Sequence, residues 1–359
     1  MNDFQSEPSE LRKAMLDATR RVLESGWYVL GHEVDTFERE WRTICGLEHA
    51  VGVGNGMDAI EIALRALDIG PGAEVITTPM TAFATVLAIL RSGATPVLAD
   101  VELHTALLDV DSVARCLSGR TRAVVLVHLY GQVRGMDAWQ SFCADRGIAL
   151  IEDCAQAHLA ALGGRIAGSF GQAGAYSFYP TKNLGAAGDA GMLVTQSETV
   201  AHRARCLRNY GQVERDSHLE AGLNSRLDEV HAAMLLERLR WLPAFTDRRR
   251  EIAAIYRSQI RNPLISQLAA PEEAPAHVYH LFVVTCEQRD AVQSHLREQK
   301  VQTLIHYPIP VHLQKPCREI KRDPAGLARS DRQGMPPHVS LFPAIPRCPT
   351  LTWSWSWQR

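Results

Sequence analysis

The chain has 359 residues, with 38 basic against 40 acidic side chains, a formal net charge of -2, 46% hydrophobic and 22% charged residues. This composition can bury a large core, and the length predicts one large domain with a smaller companion, or two comparable ones. Balanced charge without a basic run argues against a nucleic-acid surface, and no apolar stretch reaches the roughly 18–20 residues that span a bilayer.

The N-terminal MNDFQSEPSELRK lacks the apolar core of a signal peptide, so a cytoplasmic location is expected. Eight scattered cysteines form no CxxC pair, which favours reduced thiols over a disulfide framework or a zinc ribbon. Residues 9–25 and 32–45 read as helices separated by Ser25-Gly26 and Gly31. VGVGNG then leads into a third helix, where Ile60, Ala63, Leu64 and Leu67 recur at helical spacing before Gly70-Pro71-Gly72. Next, apolar strands at 74–78, 95–100, 122–129 and 148–153 alternate with helices at 80–92 and 136–146. Continuous apolar strands spaced by helices predict an α/β fold, with a mostly parallel sheet covered on both faces. Strand-like runs at 173–179 and 190–195 follow without a full helix between them, inside a glycine-rich segment. Two long helices span 226–261. Beyond 262 lie clustered prolines, the strand HLFVVTC, a helix over 288–300 and LIHYPIP, a pattern that reads as a smaller α+β domain. The boundary is placed near 245, giving domains 1–245 and 246–359.

Three segments carry candidate chemistry. GNGMDA (54–59) places glycines between a strand and a helix, which makes either a phosphate cradle or a tight turn. IEDCAQAH (151–158) ends an apolar strand in Glu152-Asp153, available as a ligand, a base, a partner for a cationic ring or a helix cap; His158 alone reads as structural. SFYPTKNLGAAGDAG (177–191) puts Lys182 after a buried strand, where a depressed pKa would make it a Schiff-base nucleophile. A lone loop lysine is otherwise a solvated charge. Together, an anion site, an acid and a lysine 29 residues later are the equipment for pyridoxal phosphate.

These segments, followed in order by LRNYGQ (207–212), GLNSRLDE (222–229) and LIHYPIPVHLQ (304–314), resemble the DegT/DnrJ/EryC1/StrS family of sugar aminotransferases over roughly residues 9–330. The resemblance implies the aspartate aminotransferase-like (type I) fold and pyridoxal 5'-phosphate as cofactor, with no metal. It implies that Lys182 bonds the cofactor and moves the proton. Asp153 would pair with the pyridine nitrogen, and Gln156 would lie against the ring. Gly56, Met57 and the Ser177 hydroxyl would hold the phosphate. Asn224 would reach the cofactor phosphate of a second copy in a homodimer with shared active sites. Arg226 would help to bind the donor carboxylate, while Tyr28, Tyr307 and His312 would border the sugar pocket. Relatives with histidine in place of the lysine are dehydratases, so Lys182 favours transamination. The implied reaction moves the amino group of L-glutamate to a nucleotide-activated keto-deoxysugar. KNLGAAGDAG is closer to relatives acting at C3 of a dTDP-3-dehydro-6-deoxyhexose than to those acting at C4. The product would serve surface polysaccharide, such as O-antigen lipopolysaccharide, or glycoside synthesis. The alternatives are C4 amination and a cofactor-binding protein without turnover; a metal hydrolase lacks any HxxxH-type ligand spacing.

Two departures stand out. The family's Thr-aromatic-x-Ala/Thr run is here Thr81-Ala82-Phe83-Ala84-Thr85, so either Phe83 covers the ring from a shifted backbone or it packs in the core. From about 332 the tail is atypical, with three of seven tryptophans at 353, 355 and 357 alternating with serines. It reads either as an edge strand or as the product of a shifted reading frame near codon 333.

Overall fold

A computed structural model describes residues 4–330 and a strand at 338–341. Helices α1 (Ser9–Ser25) and α2 (His32–Cys45) have the expected bounds. The N-cap of α2 is Gly31, which has no side chain to satisfy the first amides of the helix. A remote carboxylate does this instead: the buried Glu229 accepts hydrogen bonds from the backbone N–H groups of Gly31 (2.8 Å), Glu33 (2.9 Å) and Val34 (3.0 Å). A negative charge at a helix N-terminus is also favoured by the helix dipole.

The chain then alternates: β1 (His49–Val53), α3 (Gly56–Ala66), β2 (Glu74–Thr77), α4 (Phe83–Arg91), β3 (Thr95–Leu98), α5 (Val110–Cys116), β4 (Thr121–Val127), α6 (Met136–Ala144) and β5 (Ala149–Asp153), as its apolar runs predict except for α5, which they did not show. A hairpin, β6 (Ala161–Leu162) with β7 (Arg165–Ile166), precedes β8 (Ala173–Ser177) and β9 (Gly191–Thr195). There follow α7 (Glu198–Leu207), the hairpin β10 (Gln212–Glu214) with β11 (Ser217–His218), α8 (Glu229–Leu239) and α9 (Leu242–Gln259). The C-terminal part holds β12 (Ser266–Gln267), β13 (Phe282–Thr285), α10 (Arg289–Glu298), β14 (Thr303–Leu304), β15 (Lys321–Arg322) and β16 (His338–Leu341).

The large sheet runs β1-β9-β8-β5-β4-β2-β3-β15. Every pair from β8 to β15 is parallel, and only the two pairs made by β9 are antiparallel. That explains the two strand-like runs with no helix between them: β9 returns beside β8 through a loop. Because β9 reverses twice, β1 points the same way as β8, so the ends of β1, β2, β4, β5 and β8 share one edge. Both faces of the sheet are buried. Phe37, Trp41, Tyr176 and Phe178 pack on one face, and Ile60, Leu64, Val75 and Ile89 on the other. Each such side chain contributes about 1.5–3 kcal/mol by leaving water.

A smaller antiparallel sheet has the order β12-β13-β16-β14. The expected boundary near 245 falls within α9, and β15 rejoins the large sheet beside β3. In the tail, residues 338–341 form an interior strand between β13 and β14; the tryptophans at 353, 355 and 357 lie outside the described residues. No described helix is long and apolar enough to cross a membrane. Seven cysteines of the described part are buried and free.

Two expectations concern stability. Glu229→Ala leaves three amides, two of them buried, without their acceptor, and urea unfolding should show a loss of about 3 kcal/mol; a loss below about 1 kcal/mol would mean that the amides find other partners. His158 lies buried among Trp41, Tyr176 and Phe178, and desolvation holds its pKa at about 3 against an ordinary 6.5. The unfolded chain therefore binds the extra proton between these values. Stability from the neutral ring is complete above about 6.5 and falls as pH drops towards 3. Thermal midpoints of His158→Phe should depend less on pH across that window than those of the unaltered protein.

Candidate active site

The shared edge of the large sheet collects the residues singled out in the sequence. Strand β5 delivers the two carboxylates to opposite faces, as successive strand residues must be. Glu152 points into the core. It accepts from the N–H groups of Gly168, Phe170 and Gly171 (2.7 Å each) and pairs with His128 Nε2 at 2.8 Å, so all its capacity goes to folding the 168–171 loop. Buried His128, Glu152 and Cys154 also lie close enough to suggest a metal, but that carboxylate is already saturated. Asp153 points the other way, into a cavity bordered by Thr81, Ala82, Gln156, Lys182 and Tyr307.

Lys182 follows β8 in a turn closed by its own N–H to Tyr179 O (2.9 Å). Desolvation lowers its pKa below the ordinary 10.5, and the nearby Asp153 charge partly opposes this. An amine uncharged nearer neutrality is the form that attacks a carbonyl. Gln156 bridges the walls of the cavity: its Oε1 accepts from Tyr130 N (2.6 Å) and its Nε2 donates to Tyr307 Oη (3.3 Å). Burial raises the Tyr307 phenol pKa and keeps it neutral, with the Asp153 charge adding to the effect. Gly131 is obligatory here, because φ is +92° and a Cβ would lie 2.6 Å from Gln156 O.

At the same edge of the sheet, Gly54 through Met57 run from β1 into α3. Asn55 caps the helix by accepting from Asp58 N (2.8 Å), and Ala59 N makes the first helical bond to Asn55 O (3.2 Å). The amides of Gly56 and Met57 are thus left to face an anion, at the positive end of the helix dipole. Gly56 lies so close to Ser177 that an added Cβ would come within 2.6 Å of the serine Cβ. A phosphorylated pyridine aldehyde fits this donor set: two amides and a hydroxyl for its phosphate, a carboxylate for its ring nitrogen and an amine for its carbonyl.

Other expectations fare differently. Phe83 does not cover the cavity. It begins α4 and packs with Val86, Leu98 and Val311, while Ala82 lines the cavity. The helical turn starting at Phe83 carries that side chain away from the site. Tyr28 is exposed, its carbonyl taking the N–H of Glu229 (3.2 Å). Asn224 is exposed and bridged to Asn209, while its neighbour Ser225 accepts from Gly54 N (3.0 Å). Arg226 lies over the Tyr210 ring and donates to Asn209 Oδ1 (3.0 Å). His312 is buried in a turn whose Val311 N bonds Pro79 O (3.0 Å). Within one chain, then, Asp153, Gln156, Lys182 and Tyr307 line one cavity, whereas Tyr28, Gly56, Met57, Ser177, Asn224, Arg226 and His312 are not among its walls. Sequence reasoning missed Thr81, Thr85 and Tyr130. Of the two threonines only Thr85 is on α4, so no helical spacing linked them in the sequence.

The sequence matches the DegT/DnrJ/EryC1/StrS aminotransferase family over residues 9–342. It is 46% identical over 312 residues to the dTDP-3-amino-3,6-dideoxy-alpha-D-galactopyranose transaminase of Aneurinibacillus thermoaerophilus, covering 87% of this chain and 86% of that protein. The crystal structure of S. venezuelae DesV in complex with a ketimine intermediate superposes with a TM-score of 0.90 at 42% identity, covering 96% of this chain and 93% of that one. The structure of Bacillus subtilis ntda with bound cofactor PMP gives a TM-score of 0.85 at 28% identity, covering 95% and 79%.

A lysine whose pKa is lowered by burial beside the cavity predicts a covalent test. Borohydride should fix pyridoxal phosphate irreversibly to Lys182, detectable by peptide mass, and should fix none at this peptide in Lys182→Ala. If Lys182 transfers the proton, the same change should lower turnover by about 10³-fold or more. Label on another lysine would contradict the assignment.

Proposed function

The chain belongs to the DegT/DnrJ/EryC1/StrS aminotransferase family, and on that premise we propose that it aminates C3 of a dTDP-3-dehydro-6-deoxyhexose with L-glutamate as donor. The cavity that sets Lys182 against Asp153, at the same sheet edge as the open amides of α3, carries the reading. The substrate follows the name of the Aneurinibacillus relative, 46% identical over 87% of this chain. Pyridoxal phosphate, when bound, supplies the electron sink that lets an amino group pass from donor to acceptor.

The residues divide the remaining work. The Gly56 and Met57 amides and the Ser177 hydroxyl bind the phosphate. Asp153 keeps the ring nitrogen protonated. Gln156, its amide orientation fixed by Tyr130 and Tyr307, borders the ring. Lys182 Nζ takes the proton from the donor's Cα and returns a proton to the sugar carbon in the second half-reaction. Two half-reactions through one amine predict ping-pong kinetics.

The same reading makes the catalytic unit a homodimer. Asn224 and Tyr28 are exposed within one chain, and this suits residues that complete a second copy's site, with Asn224 on the phosphate. Arg226 would bind the donor carboxylate there, and Tyr307 and His312 the sugar side. The work would take place in the cytoplasm, which suits a chain with seven buried, free cysteines among its described residues. A nucleotide-activated amino sugar is a glycosyl donor, so a glycosyltransferase building surface polysaccharide, such as O-antigen lipopolysaccharide, or a glycoside would consume it.

The test supplies cofactor, glutamate and either dTDP-3-dehydro- or dTDP-4-dehydro-6-deoxyhexose. The 3-dehydro sugar should yield a 3-amino product and 2-oxoglutarate, with parallel double-reciprocal lines. Turnover of the 4-dehydro sugar alone would move the chemistry to C4. Release of 2-oxoglutarate with neither sugar aminated would overturn the substrate, and no release would remove the activity.

A further inference from the structure

The Asp153 carboxylate is held by a hydroxyl to which the motifs assign no role. Its Oδ1 accepts from Ala155 N at 3.1 Å. Its Oδ2 lies 2.8 Å from Thr85 Oγ1, 68 residues away in the chain, and Thr85 Oγ1 lies 2.8 Å from Thr81 Oγ1. All three side chains are buried.

The proton order follows from the donors available. A carboxylate only accepts, and each hydroxyl has one proton. Thr85 must therefore donate to Asp153, which leaves it only its lone pairs for Thr81, and Thr81 must donate to Thr85. Each bond in such a chain polarises the next, and the last one ends on a charged group, where hydrogen bonds are short and strong. The helix itself does not use this hydroxyl. Thr85 is the third residue of α4, and its N–H bonds Ala82 O at 3.2 Å while its side chain reaches β5.

We propose that Thr85 is a positioning residue for the transamination, oriented by Thr81, and that this two-hydroxyl relay fixes the Asp153 carboxylate towards the ring nitrogen of the cofactor. Ala155 N holds one oxygen and the relay holds the other, so the carboxylate cannot swing to another partner. Without Thr85 the second oxygen is free to rotate, and the ring nitrogen loses a prearranged counter-charge. The inference rests on the pyridoxal phosphate reading of this cavity.

The test measures the dissociation constant of pyridoxal 5'-phosphate from cofactor-free protein by equilibrium dialysis, alongside the melting temperature of the same cofactor-free samples. Thr85→Val keeps the shape and removes the hydroxyl, and should weaken binding about 10- to 100-fold, as for a lost hydrogen bond to a charged group. Thr85→Ser should return it to within about threefold of the unaltered protein, and Thr81→Val should cost only about three- to fivefold. With cofactor saturating, Thr85→Val should lower kcat and leave KM for glutamate unchanged. The inference is overturned if Thr85→Val lowers the melting temperature but not the affinity, or if Thr85→Ser binds as poorly as Thr85→Val. Unaltered protein that takes up no cofactor would overturn the reading of the cavity as well, so the two failures are distinguishable.

Discussion

Everything at this site depends on keeping an amine and a carboxylate together out of water. Lys182 loses basicity by burial, and Asp153 returns part of it. Without the carboxylate the amine would lose the charge that partly opposes its desolvation, and without burial its pKa would return towards the ordinary value. The fold meets both conditions by ending β5 at the cavity and following β8 with a tight turn. Strand alternation then divides two adjacent acids: Glu152 folds the neighbouring loop from the core side, and Asp153 faces the chemistry.

The cavity is closed by residues far along the chain. Tyr307 meets Gln156, and the Tyr130 hydroxyl donates to His306 O at 2.8 Å. Asn183, next to Lys182, has its Oδ1 3.0 Å from His280 Nδ1 and its Nδ2 donates to Val278 O at 3.2 Å. The segment 278–307 therefore anchors both the lysine turn and the far wall. An antiparallel sheet that takes residues 338–341 as an interior strand supports that segment through β13 and β14.

Much of this was legible in the sequence, for physical reasons. Long strands buried on both faces read as unbroken apolar runs: β4 is buried at every position but one. Ile60, Ala63 and Leu64 marked the buried face of α3. Among the elements missed, β6, β7, β10 and β11 are two or three residues long, too short to show a period, while the helices α5 and α7 were missed despite seven and ten residues. Among site residues, Asp153 at the end of β5 and Lys182 in the loop after β8 were singled out as charges next to buried strands, and only the family resemblance gave them roles. The placing of Phe83 was not readable, since its direction depends on where α4 begins. Glu229 and Thr85 act on partners 198 and 68 residues distant, and no local pattern encodes such pairs.

The most direct measurement is a crystal structure of the protein loaded with pyridoxal phosphate. The account predicts the phosphate against the amides of Gly56 and Met57 and the Ser177 hydroxyl, the ring nitrogen within hydrogen-bond distance of Asp153, and continuous density to Lys182 Nζ. A phosphate held elsewhere, or a ring nitrogen turned away from Asp153, would contradict it.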